Sequence, residues 1–152
     1  MSLTCQCECM KPIEVLLVED EAGDALLASH VVIDCAASVK LHFARDGEQA
    51  LAMLADPNLS LDLVILDLNI PKISGFAVLE RRPTRDLPVV VFSSSWRGAD
   101  AQKALALGAC DYIQKPMDIQ TYANAVCGMI DKWAGQKNKS KSSGADREIG
   151  PY

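Results

Sequence analysis

The sequence lacks the long apolar segments, dense cysteines and basic balance that mark several classes of protein. None of its apolar runs approaches the roughly 20 residues of a membrane-spanning helix. Its first residues also lack the charged segment and apolar block of a signal peptide. The six cysteines in 152 residues are too sparse for a disulfide scaffold. We therefore expect a protein of a reducing, cytoplasmic setting that has no membrane partner.

Acidic residues outnumber basic ones, and the net charge is −5. Residues 1–135 hold 11 Lys and Arg against 18 Asp and Glu, a charge of −7, whereas residues 136–152 hold 4 against 2, a charge of +2. An acidic domain repels phosphate backbones, so we expect no nucleic-acid partner.

Composition divides the chain into a leader, one domain and a tail. Residues 1–11 contain a Cys-x-Cys-x-Cys motif that could bind a soft metal. No matching cluster of Cys or His follows, so we predict a disordered leader instead. Residues 12–135 are long enough for one domain with its own core. Residues 136–152 are rich in Ser, Lys and Gly, which predicts a disordered polar tail.

Strand patterns alternate with helical patterns within the domain. Strands are predicted over residues 13–20, 39–45, 61–68, 87–95 and 110–116, and helices over 23–37, 47–55, 75–82, 97–108 and 118–135. Most of the strands are continuous apolar runs, as expected where helices cover both faces of a parallel sheet. The pattern predicts an α/β fold with a doubly wound parallel sheet.

Spacing within the elements predicts which side chains face the core. The predicted core residues are Leu26, Leu27, Val31 and Cys35 in the first helix, Val39, Leu41 and Phe43 in the second strand, and Tyr122, Val126, Met129, Ile130 and Trp133 in the last helix. Cys35, Cys110 and Cys127 suit small core positions. Asp46 and Gln49 resemble a capping box, and Gly108 is expected just beyond the end of a helix.

Polar residues collect where the predicted strands end. They are Glu19 and Asp20 after the first strand, Asp67 and Asn69 after the third, Ser93 and Ser94 after the fourth, and Lys115 and Pro116 after the fifth. In an open α/β sheet these ends meet at the edge where ligands bind. Carboxylates a few ångströms apart repel by roughly 4 kcal/mol per pair near a surface. The acidic residues therefore need a cation.

Mg²⁺ is the cation that this set of residues favours. It prefers oxygen ligands, and the strand ends offer no Cys or His for zinc. Paired with the metal and with Lys115, Asp67 can stay ionised and act as a nucleophile. Metal, lysine and a serine hydroxyl would together hold an incoming phosphoryl group. We hypothesise that Asp67 accepts a phosphoryl group with Mg²⁺ as cofactor.

The motifs LLVEDEAGD, ILDLNIPKISG, PVVVFSSS and YIQKP resemble the receiver domain of two-component response regulators. The resemblance covers about Ile13–Trp133 and is strongest to stand-alone regulators associated with bacterial phytochromes. It implies a flavodoxin-like (βα)5 fold with sheet order 2-1-3-4-5. It also implies a single-domain phosphoacceptor that is not an enzyme beyond promoting its own phosphorylation and dephosphorylation. A histidine kinase or phosphotransfer protein would be the donor, a partner protein would receive the signal, and a homodimer is expected by analogy.

The resemblance also implies a role for each strand-end residue. Asp67 would be the phosphoacceptor, Asp20 would bind Mg²⁺ directly, Glu19 would act through water, and Asn69 would offer its backbone carbonyl. Lys115, Ser93 and Ser94 would bind the phosphoryl group, Ser93 and Tyr112 would switch, and Pro116 would position its loop, often through a cis bond. Plain packing is the alternative for Tyr112. The segment from Gly75 to Pro88 is shorter than usual for the family, which predicts a shortened third helix.

Three other functions fit the sequence less well. A phosphatase of the haloacid dehalogenase type would need a second Asp where Asn69 stands. A flavin-binding electron carrier would place a phosphate beside Glu19, Asp20 and Glu21, which would repel it. A binding module that works without phosphorylation would have no use for the acids and the lysine.

Overall fold

Strands and helices alternate along the chain, as the sequence predicts. The computed structural model describes residues 11–35 and 38–134, so the predictions for the leader's first ten residues and for the tail lie outside the described residues. The elements are β1 (Ile13–Val18), α1 (Ala22–Ile33), β2 (Val39–Ala44), α2 (Gly47–Leu54), β3 (Leu63–Leu66), α3 (Gly75–Arg81), β4 (Val89–Ser93), α4 (Gly98–Ala106), β5 (Asp111–Gln114) and α5 (Ile119–Met129). A π-helical turn, Ile130–Ala134, extends α5.

The five strands form one parallel sheet in the order β2-β1-β3-β4-β5. This confirms the predicted fold class and strand order. Helices α1 and α5 pack on one face of the sheet, and α2, α3 and α4 pack on the other. Among the described residues, no helix has the length and apolar character needed to cross a membrane.

The central strand β3 shows why the apolar runs are continuous. All four of its residues are buried. Val64 and Leu66 enter the core beneath α2, α3 and α4, while Leu63 and Ile65 enter the core beneath α1 and α5. A strand with a core on each face has no solvent side, and so its sequence shows no polar alternation.

Two predicted core positions are wrong. Leu26 is 60% exposed, because α1 buries Ala28, Val31 and Val32 instead. The sequence of α1 is apolar on several sides, so spacing alone allowed more than one inward face. Phe43 is 43% exposed, because β2 is an edge strand.

The two helix-end signals predicted at Asp46 and Gly108 are confirmed. The backbone N–H of Gln49 donates to Asp46 Oδ1 over 2.8 Å at the start of α2. Gly108 follows α4 with a φ of 102°, a conformation that glycine adopts without strain. The buried Arg82 guanidinium ends the short α3 and donates to the backbone carbonyls of Leu79 (3.0 Å) and Gly108 (3.1 Å). Arg82 therefore links the end of α3 to the loop that follows α4.

The cysteines differ from the prediction. Cys35 lies beyond the end of α1 and forms a disulfide with Cys127 of α5. Cys110 is free and half-buried. Cys35 and Cys127 do pack, partly buried, against the core beneath α1 and α5, as predicted, but the sequence did not predict that they are bonded to each other.

Candidate functional site

The backbone of the sheet positions the acidic residues at its carboxyl edge. Glu19 directly follows β1, and its N–H donates to the carbonyl of Ala44 over 3.0 Å. Asp67 directly follows β3, and its N–H donates to the carbonyl of Val18 over 3.1 Å. The strand ladder thus continues into both acids and holds their backbones in place. One carboxylate oxygen from each of Glu19, Asp20 and Asp67 lies within 4.8 Å of the others.

Lys115 joins this acidic cluster from β5. Its N–H donates to the carbonyl of Ser93 over 2.8 Å, which places the lysine at the same edge of the sheet. Its Nζ lies 2.5 Å from Glu19 Oε1, 2.9 Å from Asp24 Oδ2 and 3.1 Å from Asp67 Oδ2. An ammonium group has three N–H donors, so each donor has one carboxylate partner.

Asp24 is the site residue that the sequence analysis missed. It lies in the first turn of α1, not at the end of a strand. Its carboxylate binds Lys115, and its backbone carbonyl accepts a 3.3 Å hydrogen bond from the Tyr122 hydroxyl. The available signal was the motif VEDEAGD, which places Asp24 at the start of the predicted first helix, four residues after Asp20.

Burial controls the electrostatics of the cluster. Burial raises the pKa of Glu19 to about 7, and the hydrogen bond and charge of Lys115 only partly oppose this effect. Burial alone would lower the pKa of Lys115, but its bond to Glu19 and the charge of Asp67 hold that pKa above its usual range. Burial and the nearby Asp24 carboxylate raise the pKa of Tyr122 to about 12, so its hydroxyl remains protonated and can donate. A cation that binds Glu19 would therefore compete with a proton.

The donor set suits a hard divalent cation. Glu19 and Asp67 are buried, whereas Asp20 and Asn69 are exposed, so the cluster opens to solvent on one side. The carboxylates of Glu19, Asp20 and Asp67 offer oxygen ligands, which Mg²⁺ and similar ions prefer. Asp67 Oδ1 also accepts a 3.1 Å hydrogen bond from the Asn69 N–H. Asp67 therefore has Oδ2 on Lys115 and Oδ1 on the backbone N–H of the exposed Asn69.

The predicted switch residues meet at the loop after β4. Ser93 is fully buried, and its Oγ accepts a hydrogen bond from the N–H of Ser95 over 3.3 Å. The Tyr112 hydroxyl donates to the carbonyl of Ser95 over 2.9 Å. Ser94 is exposed. Ser93 and Tyr112 are thus linked through one loop residue.

Pro116 differs from one expectation. Among residues 11–35 and 38–134 the structure has no cis peptide bond, so the bond between Lys115 and Pro116 is trans. The hydrogen bond that holds Lys115 in place comes from the strand ladder with Ser93, which does not depend on that isomer.

Gly75 allows α3 to begin against the backbone of the site. Its N–H donates to the carbonyl of Leu68 over 3.1 Å. A Cβ at this position would lie 2.6 Å from the Asp67 carbonyl oxygen and 2.6 Å from Leu68 Cα. Only glycine fits there, because backbone atoms on both sides cannot move away as a flexible side chain could.

Gly75→Ala is expected to lower the free energy of unfolding by about 1–3 kcal/mol, the usual cost of overpacking. It should also slow the phosphorylation of Asp67 proposed below, because the added methyl group pushes on the backbone of residues 67 and 68. Urea denaturation and intact-mass measurement of the phosphorylated fraction would check both effects. Gly98→Ala is the matched control, since a Cβ there meets nothing within 4 Å. If both variants were equally stable and equally phosphorylated, the close approach of residue 75 to the backbone of Asp67 and Leu68 would be contradicted.

Comparison with known proteins identifies the family. The model of the response regulator receiver domain matches residues 15–127. Protein-glutamate methylesterase/protein-glutamine glutaminase 6 of Anaeromyxobacter dehalogenans (strain 2CP-C) is 40% identical over 110 residues, which cover 70% of this chain and 30% of that protein. The transcriptional regulatory protein CpxR of Klebsiella pneumoniae subsp. pneumoniae (strain HS11286) is 33% identical over 109 residues, which cover 70% of this chain and 46% of CpxR. The chain thus spans less than half the length of both relatives.

Solved structures give the same result over nearly their whole length. The Mn²⁺-bound form of response regulator Rcp1 matches with a TM-score of 0.73 and 30% identity, covering 81% of this chain and 95% of Rcp1. The phosphorylated cyanobacterial phytochrome response regulator RcpA matches with a TM-score of 0.75 and 30% identity, covering 83% of this chain and 96% of RcpA. The resemblance to phytochrome-associated regulators is therefore confirmed. With its sheet order, its strand-end acids and these matches, the chain belongs to the response regulator receiver domain family.

Proposed function

We propose that Asp67 is the phosphoacceptor of this response regulator, that Mg²⁺ supports the reaction, and that the phosphorylated form signals to a partner protein. Family members accept a phosphoryl group on an aspartate, and the phosphatase alternative is not favoured. The observation that supports Asp67 is its position: it directly follows the central strand β3, is buried, touches Lys115 and belongs to the three-carboxylate cluster. Glu19 is also buried, touches Lys115 and belongs to the cluster, but burial raises its pKa to about 7, which favours the protonated form that is not a nucleophile.

Asp67 can act as the nucleophile because the strand ladder holds its backbone and Lys115 holds its carboxylate. A carboxylate oxygen attacks phosphorus, the bond from phosphorus to the donor's leaving group breaks, and an acyl phosphate forms on Asp67. The leaving group takes the bonding electron pair. Mg²⁺, held by Glu19, Asp20, Asp67 and the Asn69 carbonyl, would neutralise the charge of the phosphoryl oxygens. Lys115 would then exchange its bond to Asp67 for a bond to the phosphoryl group.

The loop after β4 is the element that we expect to respond. Ser93 would turn its hydroxyl from the Ser95 N–H to the phosphoryl group, with Ser94 beside it. Tyr112 is tied to the same loop through the Ser95 carbonyl, so a change at Ser93 would reach its ring. Phosphorylation would in this way shift the population between two arrangements of the loop.

Partners follow from the family and from the charge. The family receives phosphoryl groups from histidine kinases or phosphotransfer proteins. We place the protein in the cytoplasm, where ATP supplies such kinases, and expect a homodimer by analogy with phytochrome-associated regulators. We expect no nucleic-acid partner, because an acidic domain repels phosphate backbones. We expect no membrane partner, because the sequence has no apolar run of membrane-spanning length. The receiver itself is a phosphoacceptor, and we assign the output to a partner protein.

Incubation of the native chain with acetyl phosphate tests the proposal. With Mg²⁺ present, intact-mass measurement should show one phosphoryl adduct, because the metal offsets the repulsion between the acids and the reagent. With Mg²⁺ removed by a chelator, the adduct should fall to background, and added Mg²⁺ should restore it. Equal adduct with and without the metal would overturn the role of Mg²⁺.

A further inference from the structure

We propose that Cys35 and Cys127 form a reversible modification site, at which thiol–disulfide exchange ties the end of α1 to α5. This site goes beyond the proposed function, since none of its atoms belongs to the acidic cluster. In the forward reaction the two thiols lose two protons and two electrons, which reduce a low-molecular-weight disulfide such as oxidised glutathione to two thiols. The reverse reaction restores both cysteines.

The fold, not the sequence, brings the two cysteines together. They are 92 residues apart in the chain, yet their Cα atoms lie 5.5 Å apart. That separation is within the range over which two cysteines can bond without backbone movement. Cys35 follows α1 and Cys127 lies on α5, and both side chains pack against the core that these helices share. The pairing therefore depends on native packing of α1 against α5.

A solvent-open groove gives reagents access to the pair. Both cysteines are half-buried. The groove between α1 and α5 has a volume of about 420 Å³ and reaches Cys127 past His30, Asp34, Ala123 and Asn124. A small disulfide or thiol can enter such a groove, whereas a disulfide sealed in a core is inert to exchange.

The fold also accommodates Cys35 as a free thiol. The carbonyl of Val31 lies 3.7 Å from Cys35 Sγ, so a Cys35 thiol has an acceptor in the last turn of the preceding helix α1. Cys110, the free cysteine of the described residues, lies just before β5, and burial raises the pKa of its thiol. A raised pKa disfavours the reactive thiolate, so Cys110 is a poor competitor for the exchange.

The disulfide complements a second connection between the same two helices. At the start of α1, Asp24 accepts the hydrogen bond from Tyr122 of α5. The disulfide lies beyond the other end of this helix, whose 12 residues span roughly 18 Å at the usual helical rise. We expect the disulfide to stabilise the oxidised chain against unfolding, because it closes a long loop. Because the disulfide lies far from the acidic cluster, we expect phosphorylation of Asp67 to proceed at the same rate in both forms.

The test uses a variant of the full chain that keeps only this pair, with Cys5, Cys7, Cys9 and Cys110 replaced by Ser. It is equilibrated in mixtures of reduced and oxidised glutathione, free thiols are alkylated, and intact mass counts them. We expect both thiols to disappear together, a peptide cross-linked through Cys35 and Cys127, and full reversal by dithiothreitol. Two persistent thiols, glutathione adducts alone, or cross-links between chains would overturn the proposal.

Thermal denaturation gives an independent measurement on the native chain. Its midpoint should be several degrees higher in the oxidising mixture than in the reducing one, and Cys35→Ser should remove that difference. Cys110→Ser is the matched control and should keep it. An equal denaturation midpoint in both mixtures would contradict a stabilising disulfide between Cys35 and Cys127.

Acetyl phosphate labelling of the oxidised and reduced forms distinguishes the two proposals. Loss of labelling in both forms would contradict the assignment of Asp67 as phosphoacceptor and would leave the disulfide result intact.

Discussion

Asp67→Asn is expected to abolish the Mg²⁺-dependent phosphoryl adduct. The amide has nearly the shape of the carboxylate, and its oxygen can still accept the hydrogen bond from the Asn69 N–H. An amide oxygen is neutral and is not the nucleophile that acyl phosphate formation needs. The variant also loses the charge that faces Lys115 over 3.1 Å. Intact mass after incubation with acetyl phosphate should therefore show the level seen without Mg²⁺.

The control for this prediction is Asp86→Asn, which changes an exposed aspartate after α3. It should label as the native chain does. An adduct that persists in Asp67→Asn would place the acceptor on another residue, and peptide mapping would locate it. Thermal denaturation of both variants would show that each is folded before labelling is compared.

Lys115→Met is expected to destabilise the metal-free protein strongly. It leaves Glu19, Asp24 and Asp67 facing one another without their shared ammonium group. Removing one partner of a fully buried ion pair costs about 3–5 kcal/mol. We expect a smaller loss here, because the side chain of Asp24 is 39% exposed and water screens its charge. Urea denaturation in the presence of a chelator would measure the change in the free energy of unfolding.

Mg²⁺ should restore much of the stability that Lys115→Met loses. A divalent cation bound by the same carboxylates would replace the missing positive charge, so the variant should gain more stability from Mg²⁺ than the native chain does. Lys132→Met is the matched control, since Lys132 is 60% exposed and lies 3.8 Å from Asp111. An exposed pair of that kind contributes roughly 0–1 kcal/mol. A Lys115→Met variant as stable as the native chain without metal would mean that Lys115 does not hold the acids together.

Much of the site could be predicted from the sequence because the sheet is parallel. Glu19, Asp67 and Lys115 each follow an apolar run, and strands that run in the same direction bring such residues to one edge. Asp24 could not be found in this way, because it reaches Lys115 from a helix. Its contact depends on how α1 is rotated against the sheet, and periodicity did not determine that rotation, as the exposure of Leu26 shows.

The sequence by itself determined the order of the elements, the doubly covered strands and the helix ends at Asp46 and Gly108. These features depend on interactions between neighbours in the chain, so local residue patterns carry them. Only the tertiary structure decided that Cys35 meets Cys127, that Arg82 binds the carbonyl of Gly108, and that Lys115 is shared among three acids. Each of these contacts joins residues distant in the chain, and their geometry depends on how whole helices pack on the sheet.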